Sequence, residues 1–180
     1  MNMDIAKSWE SEPVSSLIRH IVDKHHDYCR RELTRLESLV EEVVGRLGRA
    51  HAELRQIKAV FTSLSRELRQ HLLKEEQTLF PYIERLEKAV SCSQSFPMPP
   101  YGSVANPIRY MILEHETSDA GLKEIRRLSG GYEAPEDADP AIVTLYKAFG
   151  EFERDMQEHT ALEDRVVFPR AIALEKSSQK

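Results

Sequence analysis

The sequence predicts an all-α protein, an up-down-up-down antiparallel four-helix bundle. Glycine and proline are sparse, 7 and 9 among 180 residues, and they are concentrated in a few short stretches. Between those stretches apolar residues recur at steps of three and four, which places one apolar stripe along each helix. Long helices joined by short or moderate loops favour antiparallel neighbours.

Three breaks separate the predicted helices. The segment from Ser91 to Gly102 contains three prolines and three serines and cannot continue a helix. A second break runs from Ser129 to Pro140, and a weaker one lies at Gly45 to Gly48. The helices are therefore predicted at about 14–46, 49–90, 104–128 and 140–174.

Each predicted helix carries its own apolar stripe. The first stripe, which has one seven-residue gap, contains Val22, Cys29, Leu33, Leu36, Val40, Val43 and Leu47. The second is regular and contains Leu54, Ile57, Phe61, Leu64 and Leu68. The third, again with a gap, contains Ile108, Met111, Leu122 and Ile125, and the fourth contains Ile142, Leu145, Phe149, Phe152 and Met156. Such spacing is typical of residues that face a bundle core.

Histidines and glutamates fill the gaps in these stripes or extend them. A lone core histidine is most often a hydrogen-bonded structural residue. Four histidines and two glutamates that are all in phase with the core instead indicate metal ligands. Burying a carboxylate without a positive partner costs on the order of several kcal/mol. No lysine or arginine lies in phase on the stripes, whereas a bound cation removes this cost. The predicted ligands are His26, His71, Glu75, His115, His159 and Glu163.

The spacing of these residues repeats along the chain. His71 and His159 each begin a His-x-x-x-Glu motif, which places imidazole and carboxylate one turn apart on one helix face. In both copies a Phe-Pro pair follows nine and ten residues after the histidine. The preceding ligand histidine lies 45 residues before His71 and 44 residues before His159. Two equivalent hairpins predict two equivalent half-sites, and hence two metal ions bridged by the glutamates.

The first ligand has an alternative. Aligning the Ile-Arg pairs that precede the two histidines matches His25, rather than His26, to His115. The phase of the apolar stripe favours His26, which lies four residues after Val22 and seven before Leu33. His25 is then a neighbour of the ligands or a surface residue.

Imidazole and carboxylate ligands suit iron, manganese or zinc, and the absence of cysteine from these positions argues against structural zinc. We expect an oxo- or hydroxo-bridged pair of iron ions, with manganese or zinc less favoured and with a diatomic gas, oxygen or nitric oxide, as ligand. Glu67, one turn before His71, and Glu114, next to His115, are candidates for a supporting catalytic role. Either can accept a hydrogen bond from a ligand or relay protons. The alternative is that both are solvent-facing charges.

Composition excludes several other classes. A net charge of −5 and a pI near 5.8 argue against nucleic acid as a partner. No apolar run approaches the roughly 20 residues that span a bilayer, and the N-terminus lacks the apolar region of a signal peptide. Two cysteines are too few for a disulfide framework. We expect a cytoplasmic protein, a monomer or homodimer, without a membrane partner.

Four segments of the chain resemble one known family. The pieces LIRHIVDKHHDYCRREL, ELRQHLLKEEQTLFPYI, ILEHE and HTALEDRVVFPRA are similar to the hemerythrin-like (HHE) domain of the iron–sulfur cluster repair di-iron proteins. The resemblance covers about residues 12–174. It implies a hemerythrin-like bundle with the same six ligands, and it matches the channel glutamates of the family to Glu67 and Glu114.

The resemblance also implies a function. It predicts a di-iron protein of the nitrosative and oxidative stress response that assists the repair of iron–sulfur clusters by supplying iron or handling nitric oxide. Iron–sulfur proteins would then receive the iron. The alternative is a sensor or binding protein for oxygen, nitric oxide or iron that has no turnover.

Two features depart from related proteins. Classical oxygen-carrying hemerythrins use five histidines and two carboxylates with other spacings, so oxygen transport is less favoured. The repair proteins usually have an N-terminal cysteine-containing domain, which we expect to be lacking here. We expect an N-terminal extension at 1–12, the di-iron bundle at 13–175 and a tail at 176–180.

Overall fold

A computed structural model describes residues 9, 11–96, 99 and 102–178, which are mostly helical and include no β-strand. The predicted all-α fold with four long helices is confirmed. The extension at 1–12, the break at 91–102 and the tail at 176–180 lie partly outside the described residues. No helix of the described residues is both long and apolar enough to cross a bilayer.

Three of the four long helices contain a stretch of π-helix. The first consists of α1 (Val14–His20), π1 (Ile21–His26) and α2 (Asp27–Leu47). The second consists of α3 (Ala52–Lys74), π2 (Glu75–Leu79) and α4 (Phe80–Ser91). The third is α5 (Ala105–Leu128), and the fourth consists of α6 (Pro140–Leu162), π3 (Glu163–Val167) and α7 (Phe168–Ser178).

Local chemistry sets the ends of these helices. Asp139 accepts a backbone hydrogen bond of 2.8 Å in the first turn of α6, and Pro140 occupies the first position, where no backbone N–H is needed. After α5, Gly130 and Gly131 adopt φ values of 64° and 85°. The Gly131 N–H donates to the carbonyl of Arg126 at 2.8 Å, which closes the helix end.

The weakest break falls slightly later than the sequence predicts. α2 runs through Gly45 to Leu47, and the connection to α3 occupies residues 48–51. Gly45 is exposed, and no atom lies near the position of a Cβ there. A glycine on such a face weakens a helix by only about 1 kcal/mol relative to alanine, so α2 continues past it.

The chain divides into two compact units, each of which takes part of all four long helices. The first unit comprises Met1–His26, His71–His115 and Glu158–Lys180, and the second comprises Asp27–Gln70 and Glu116–Gln157. All six predicted metal ligands lie in the first unit.

The first unit has an apolar core built on Leu17, Ile21, Ile83 and Phe168, which are almost completely buried. The phase of the apolar pattern along the first long helix changes at π1. The predicted stripe places Val22 in the core, but Val22 is only partly buried and Ile21 is buried instead. Because a π turn contains more residues than an α turn, side chains beyond it shift relative to a constant 3.6-residue period.

The second unit has a core of its own. Phe61 and Phe149 meet edge to face at 5.2 Å between ring centroids. Glu153 is buried, and it accepts hydrogen bonds from Arg126, whose Nη2 lies 2.8 Å from Oε2. The Arg126 guanidinium in turn lies 5.2 Å from the centre of the Tyr132 ring. The buried carboxylate of this unit therefore has a cation beside it.

Candidate metal centre

Two π-helical stretches begin at the predicted glutamate ligands, π2 at Glu75 and π3 at Glu163. Each ends immediately before a Phe-Pro pair. A proline inside a helix has no N–H to donate and its ring crowds the carbonyl four residues earlier. The preceding phenylalanine N–H donates five residues back, from Phe80 to Glu75 and from Phe168 to Glu163. A Phe-Pro pair thus follows each of the two π turns that begin at a glutamate, and its proline disfavours the α-helical hydrogen bonding that would replace the π turn.

The structure brings all six predicted ligands together in the interior of the first unit. They form two groups of four, and within each group the candidate ligand atoms lie within 4.8 Å of one another. Glu75 and Glu163 belong to both groups. The first half-site adds His26 and His159, and the second half-site adds His71 and His115.

The histidines of each half-site meet through their Nε2 atoms. The Nε2 atoms of His26 and His159 are 3.0 Å apart, and those of His71 and His115 are also 3.0 Å apart. Each pair thus aims two ring nitrogens at one point, as two ligands of one ion do.

The two glutamates lie between the half-sites. Oε1 of Glu163 lies 3.0 Å from Nε2 of His159, and its Oε2 lies 3.2 Å from Nε2 of His115. Oε2 of Glu75 lies 3.4 Å from Nε2 of both His26 and His71. Both carboxylates therefore face both half-sites.

Acidic side chains hold the outer nitrogens of three of the four histidines. Nδ1 of His26 lies 2.6 Å from Glu76. An ionised carboxylate can only accept, so the Nδ1–H donates, which leaves Nε2 as the nitrogen available to a metal once it has lost its own proton. The same arrangement occurs at 2.9 Å in two further pairs, His71 with Glu114 and His115 with Asp164.

The predicted supporting residues have different positions. Glu114 contacts His71 in the first unit, and its carboxylate also pairs with Lys74. Glu67 belongs to the second unit, where it is exposed and accepts a hydrogen bond of 2.8 Å from Ser63.

Sequence reasoning missed Glu76 and Asp164. The sequence contains a pattern that marks these two residues, since each directly follows the glutamate of a His-x-x-x-Glu motif, in Glu75-Glu76 and Glu163-Asp164. The shared position of an acidic residue in both copies of the repeat could have indicated them.

His25 is completely buried, but it belongs to neither group of ligand atoms. Its ring stacks on that of His159, with centroids 5.6 Å apart and planes 9° apart. The structure thus places His26 among the candidate ligands and His25 beside them.

Charge in the site is concentrated on the two shared glutamates. Burial opposes ionisation, yet the surrounding histidines hold the pKa of Glu75 below its ordinary value and that of Glu163 well below it. Burial alone would lower the pKa of His26, but Glu163 and Glu75 outweigh it and raise that pKa to about 10. Burial is likewise outweighed at His115, where Asp164 and Glu163 raise the pKa to about 10. The ionised form of the two buried carboxylates is therefore stabilised by positive charge close to them.

The donor set fits metal cations. Both oxygens of Glu75 are buried and accept no hydrogen bond from the described residues. A carboxylate in that state is costly unless a cation compensates it. Four imidazole nitrogens with shared carboxylates are ligands that iron, manganese and zinc accept, so the six residues could hold two such ions.

Comparison with known proteins agrees with this chemistry. A family model described as the hemerythrin HHE cation binding domain matches residues 17–96. Proteins named iron–sulfur cluster repair protein YtfE, from Yersinia pseudotuberculosis serotype IB (strain PB1/+) and Yersinia pestis (strain Pestoides F), are 32% identical to the chain over 168 residues. The aligned residues cover 93% of this chain and 70% of each relative.

Proposed function

The chain belongs to the hemerythrin HHE family, among the relatives of the iron–sulfur cluster repair proteins, and from this membership we propose that it is a di-iron protein that helps to repair damaged iron–sulfur clusters. The observation that carries the proposal is the pair of buried two-histidine groups that share Glu75 and Glu163. Iron supply to a damaged cluster, or the handling of nitric oxide, is the activity that we assign to the centre.

The donor set favours iron over the alternatives. A structural zinc site is ordinarily tetrahedral and mononuclear and commonly contains cysteine. Here the two candidate groups share carboxylates, and both consist only of histidine and glutamate. Two iron ions held by these six residues would supply redox chemistry and could bind a diatomic ligand, oxygen or nitric oxide.

The protein side chains have three tasks in this proposal. The four Nε2 atoms and the two glutamates hold the ions, and the outer carboxylates fix the orientation of three imidazoles. Phe80 and Phe168 stack on His26 and His115, with ring centroids 5.7 Å and 5.9 Å apart. Both phenylalanines are buried, so they keep bulk water from these two ligands.

The centre contains enough negative charge for two dications. Two divalent ions and Lys74, which pairs with Glu114, bring five positive charges, against the two shared carboxylates and three outer ones at Glu76, Glu114 and Asp164. A nearly balanced, buried centre can hold iron firmly while it is intact. Repair by iron supply would take place in the cytoplasm, where we place the protein, with iron–sulfur proteins as recipients.

Metal content and an optical spectrum test the proposal directly. The aerobically purified protein should contain two iron atoms per chain and show a near-ultraviolet band from a bridging oxygen to iron. The double variant His71→Ala with His159→Ala should lose both. Protein that contains zinc alone or no metal would exclude a di-iron function.

A second experiment tests the repair activity. Cells that lack the protein should recover the activity of a cluster-dependent dehydratase more slowly after exposure to nitric oxide. Wild-type protein should restore that rate, and the double histidine variant should not. Equal recovery with and without the protein would contradict a role in repair, while leaving the metal centre itself in place.

A further inference from the structure

We propose that the two half-sites bind metal with unequal affinity. The ion held by His26 and His159 is the more weakly bound and more easily released one. This inference rests on the proposed function, because it names which of the two ions is available for delivery. It depends on one place where the internal symmetry of the site fails.

The symmetry holds for most positions around the ligands. Glu76 supports His26 in one hairpin, and Asp164 supports His115 in the other. Both acidic residues follow the shared glutamate directly in sequence. Each half-site therefore contains one histidine whose outer nitrogen donates to a carboxylate of this kind.

The remaining two histidines differ. Nδ1 of His71 lies 2.9 Å from Glu114, the residue immediately before His115. The corresponding residue immediately before His26 is His25, which has no carboxylate. His25 contacts His159 through parallel rings instead, with centroids 5.6 Å apart.

Among the described residues, none accepts a hydrogen bond from the outer nitrogen of His159. Its Nδ1 is buried, and no hydrogen bond from the described residues reaches it. In the part of the chain that the structure describes, two outer carboxylates contact the histidines of the second half-site, Glu114 and Asp164, whereas Glu76 is the one that contacts a histidine of the first.

This difference has a predictable effect on metal affinity. A carboxylate that accepts the outer N–H raises the basicity of an imidazole ligand and fixes its ring, and losing such a partner typically lowers metal affinity by about 10- to 100-fold. Stacking by His25 restrains the ring of His159 but supplies no negative charge. We therefore expect the first half-site to bind its ion about 10- to 100-fold more weakly than the second.

Competition with a chelator tests the inequality. The full-length protein is loaded with two Co(II) ions per chain and titrated with EDTA while the visible cobalt bands and the bound metal are followed. The wild type should lose one ion well before the other. Because this experiment uses cobalt and no cluster, it can succeed or fail independently of any role of iron in repair.

Three variants connect the two steps to the two half-sites. His25→Glu supplies the missing carboxylate and should reduce the difference in EDTA concentration between the two release steps. Glu114→Gln removes its counterpart and should narrow the gap by weakening the tighter step. His159→Ala should eliminate the weaker step alone. Glu116→Gln, at an exposed position, is the matched control and should change neither step.

The outcome is decisive in either direction. A single release step in the wild type, or a gap that neither His25→Glu nor Glu114→Gln changes, would overturn the inference. If His25→Glu fails to fold, as judged by far-ultraviolet circular dichroism, Glu114→Gln and His159→Ala still decide it.

Discussion

Glu76 lies 2.6 Å from Nδ1 of His26, although the two residues are 50 positions apart in the sequence. Glu76 directly follows the shared glutamate Glu75, so one turn of helix supplies both an inner and an outer carboxylate. The second hairpin repeats this arrangement with Glu163 and Asp164. π2 and π3 thus each begin with two consecutive acidic residues, the first near Nε2 and the second near Nδ1 of the same histidine, which is His26 in one hairpin and His115 in the other.

Removing the charge of an outer carboxylate should weaken metal binding without abolishing it. Glu76→Gln and Asp164→Asn should each lower metal affinity by about 10- to 100-fold, because the imidazole ligand becomes less basic. Competition with a chelator of known affinity measures the change. Glu158→Gln is the matched control, since Glu158 is partly exposed, directly precedes His159 and pairs only loosely with Lys24 at 3.8 Å. Equal affinities for Glu76→Gln and the control would contradict this role.

The prolines after the π turns should matter for the metal and little for the fold. Pro81→Ala and Pro169→Ala each restore a backbone N–H, which allows the helix to return to α-helical hydrogen bonding. That change shifts the register of Glu75 or Glu163. We expect thermal stability of the metal-free protein to stay equal or rise, and metal affinity to fall by at least tenfold.

Pro140→Ala is the control for the proline variants, because Pro140 begins α6, where its missing N–H is harmless. Differential scanning calorimetry and chelator competition on the same samples separate stability from affinity. Proline variants that bind metal as tightly as the wild type would show that the π turns do not depend on these prolines.

Much of the site could be predicted from the sequence, because its ligands interrupt a regular apolar pattern. His71, Glu75, His159 and Glu163 follow their stripes at steps of three and four, and the duplicated spacing gave two half-sites. The assumption of a constant helical period failed at Val22, since a π turn changes the phase of the side chains.

The outer carboxylates were harder to predict. Glu76 and Asp164 are partly exposed, and partly exposed acidic residues are common on helices. Only a three-dimensional arrangement shows that one such oxygen reaches a buried imidazole. Glu67 was proposed from its position one turn before His71. Spacing along one helix does not determine which residues of other helices a side chain contacts, and Glu67 contacts Ser63 of its own helix.

The metal-free protein should lose stability as the pH rises above neutrality. The pKa values of His26 and His115 are raised from 6.5 to about 10 in the folded state. Their protonation therefore stabilises the fold fully below pH 6.5, and this contribution is lost as the pH rises toward about 10. Each kcal/mol lost should lower Tm by about 2–4 °C.

Glu75 and Glu163 determine how the stability of the metal-free protein changes at acid pH. The pKa values of Glu75 and Glu163 are held below 4.5, so their contribution is present above pH 4.5 and is lost as the pH falls below it. Thermal unfolding of metal-free protein should therefore be hardest between about pH 4.5 and 6.5, whereas bound metal should flatten the alkaline limb. Despite burial, the pKa of His71 is also raised, through Glu75, so part of the alkaline limb should remain in the double variant His26→Gln with His115→Gln. An alkaline limb as steep in that variant as in the wild type would contradict this assignment.

Glu175 should stabilise the first unit independently of the metal. This buried carboxylate accepts hydrogen bonds from Tyr82 Oη at 3.1 Å, Ser103 Oγ at 2.5 Å and the Val104 N–H at 2.8 Å. Glu175→Ala would leave three donors without their acceptor, at a cost of about 1–3 kcal/mol for each buried group that finds no new partner. Urea denaturation should show the same loss of unfolding free energy with and without metal, because none of these residues belongs to the candidate ligands. Lys176→Ala, at the exposed neighbouring position, should leave stability within about 0.5 kcal/mol of the wild type. A loss confined to the metal-bound protein would instead mean that Glu175 acts through the centre, by holding the start of the helix that carries His115.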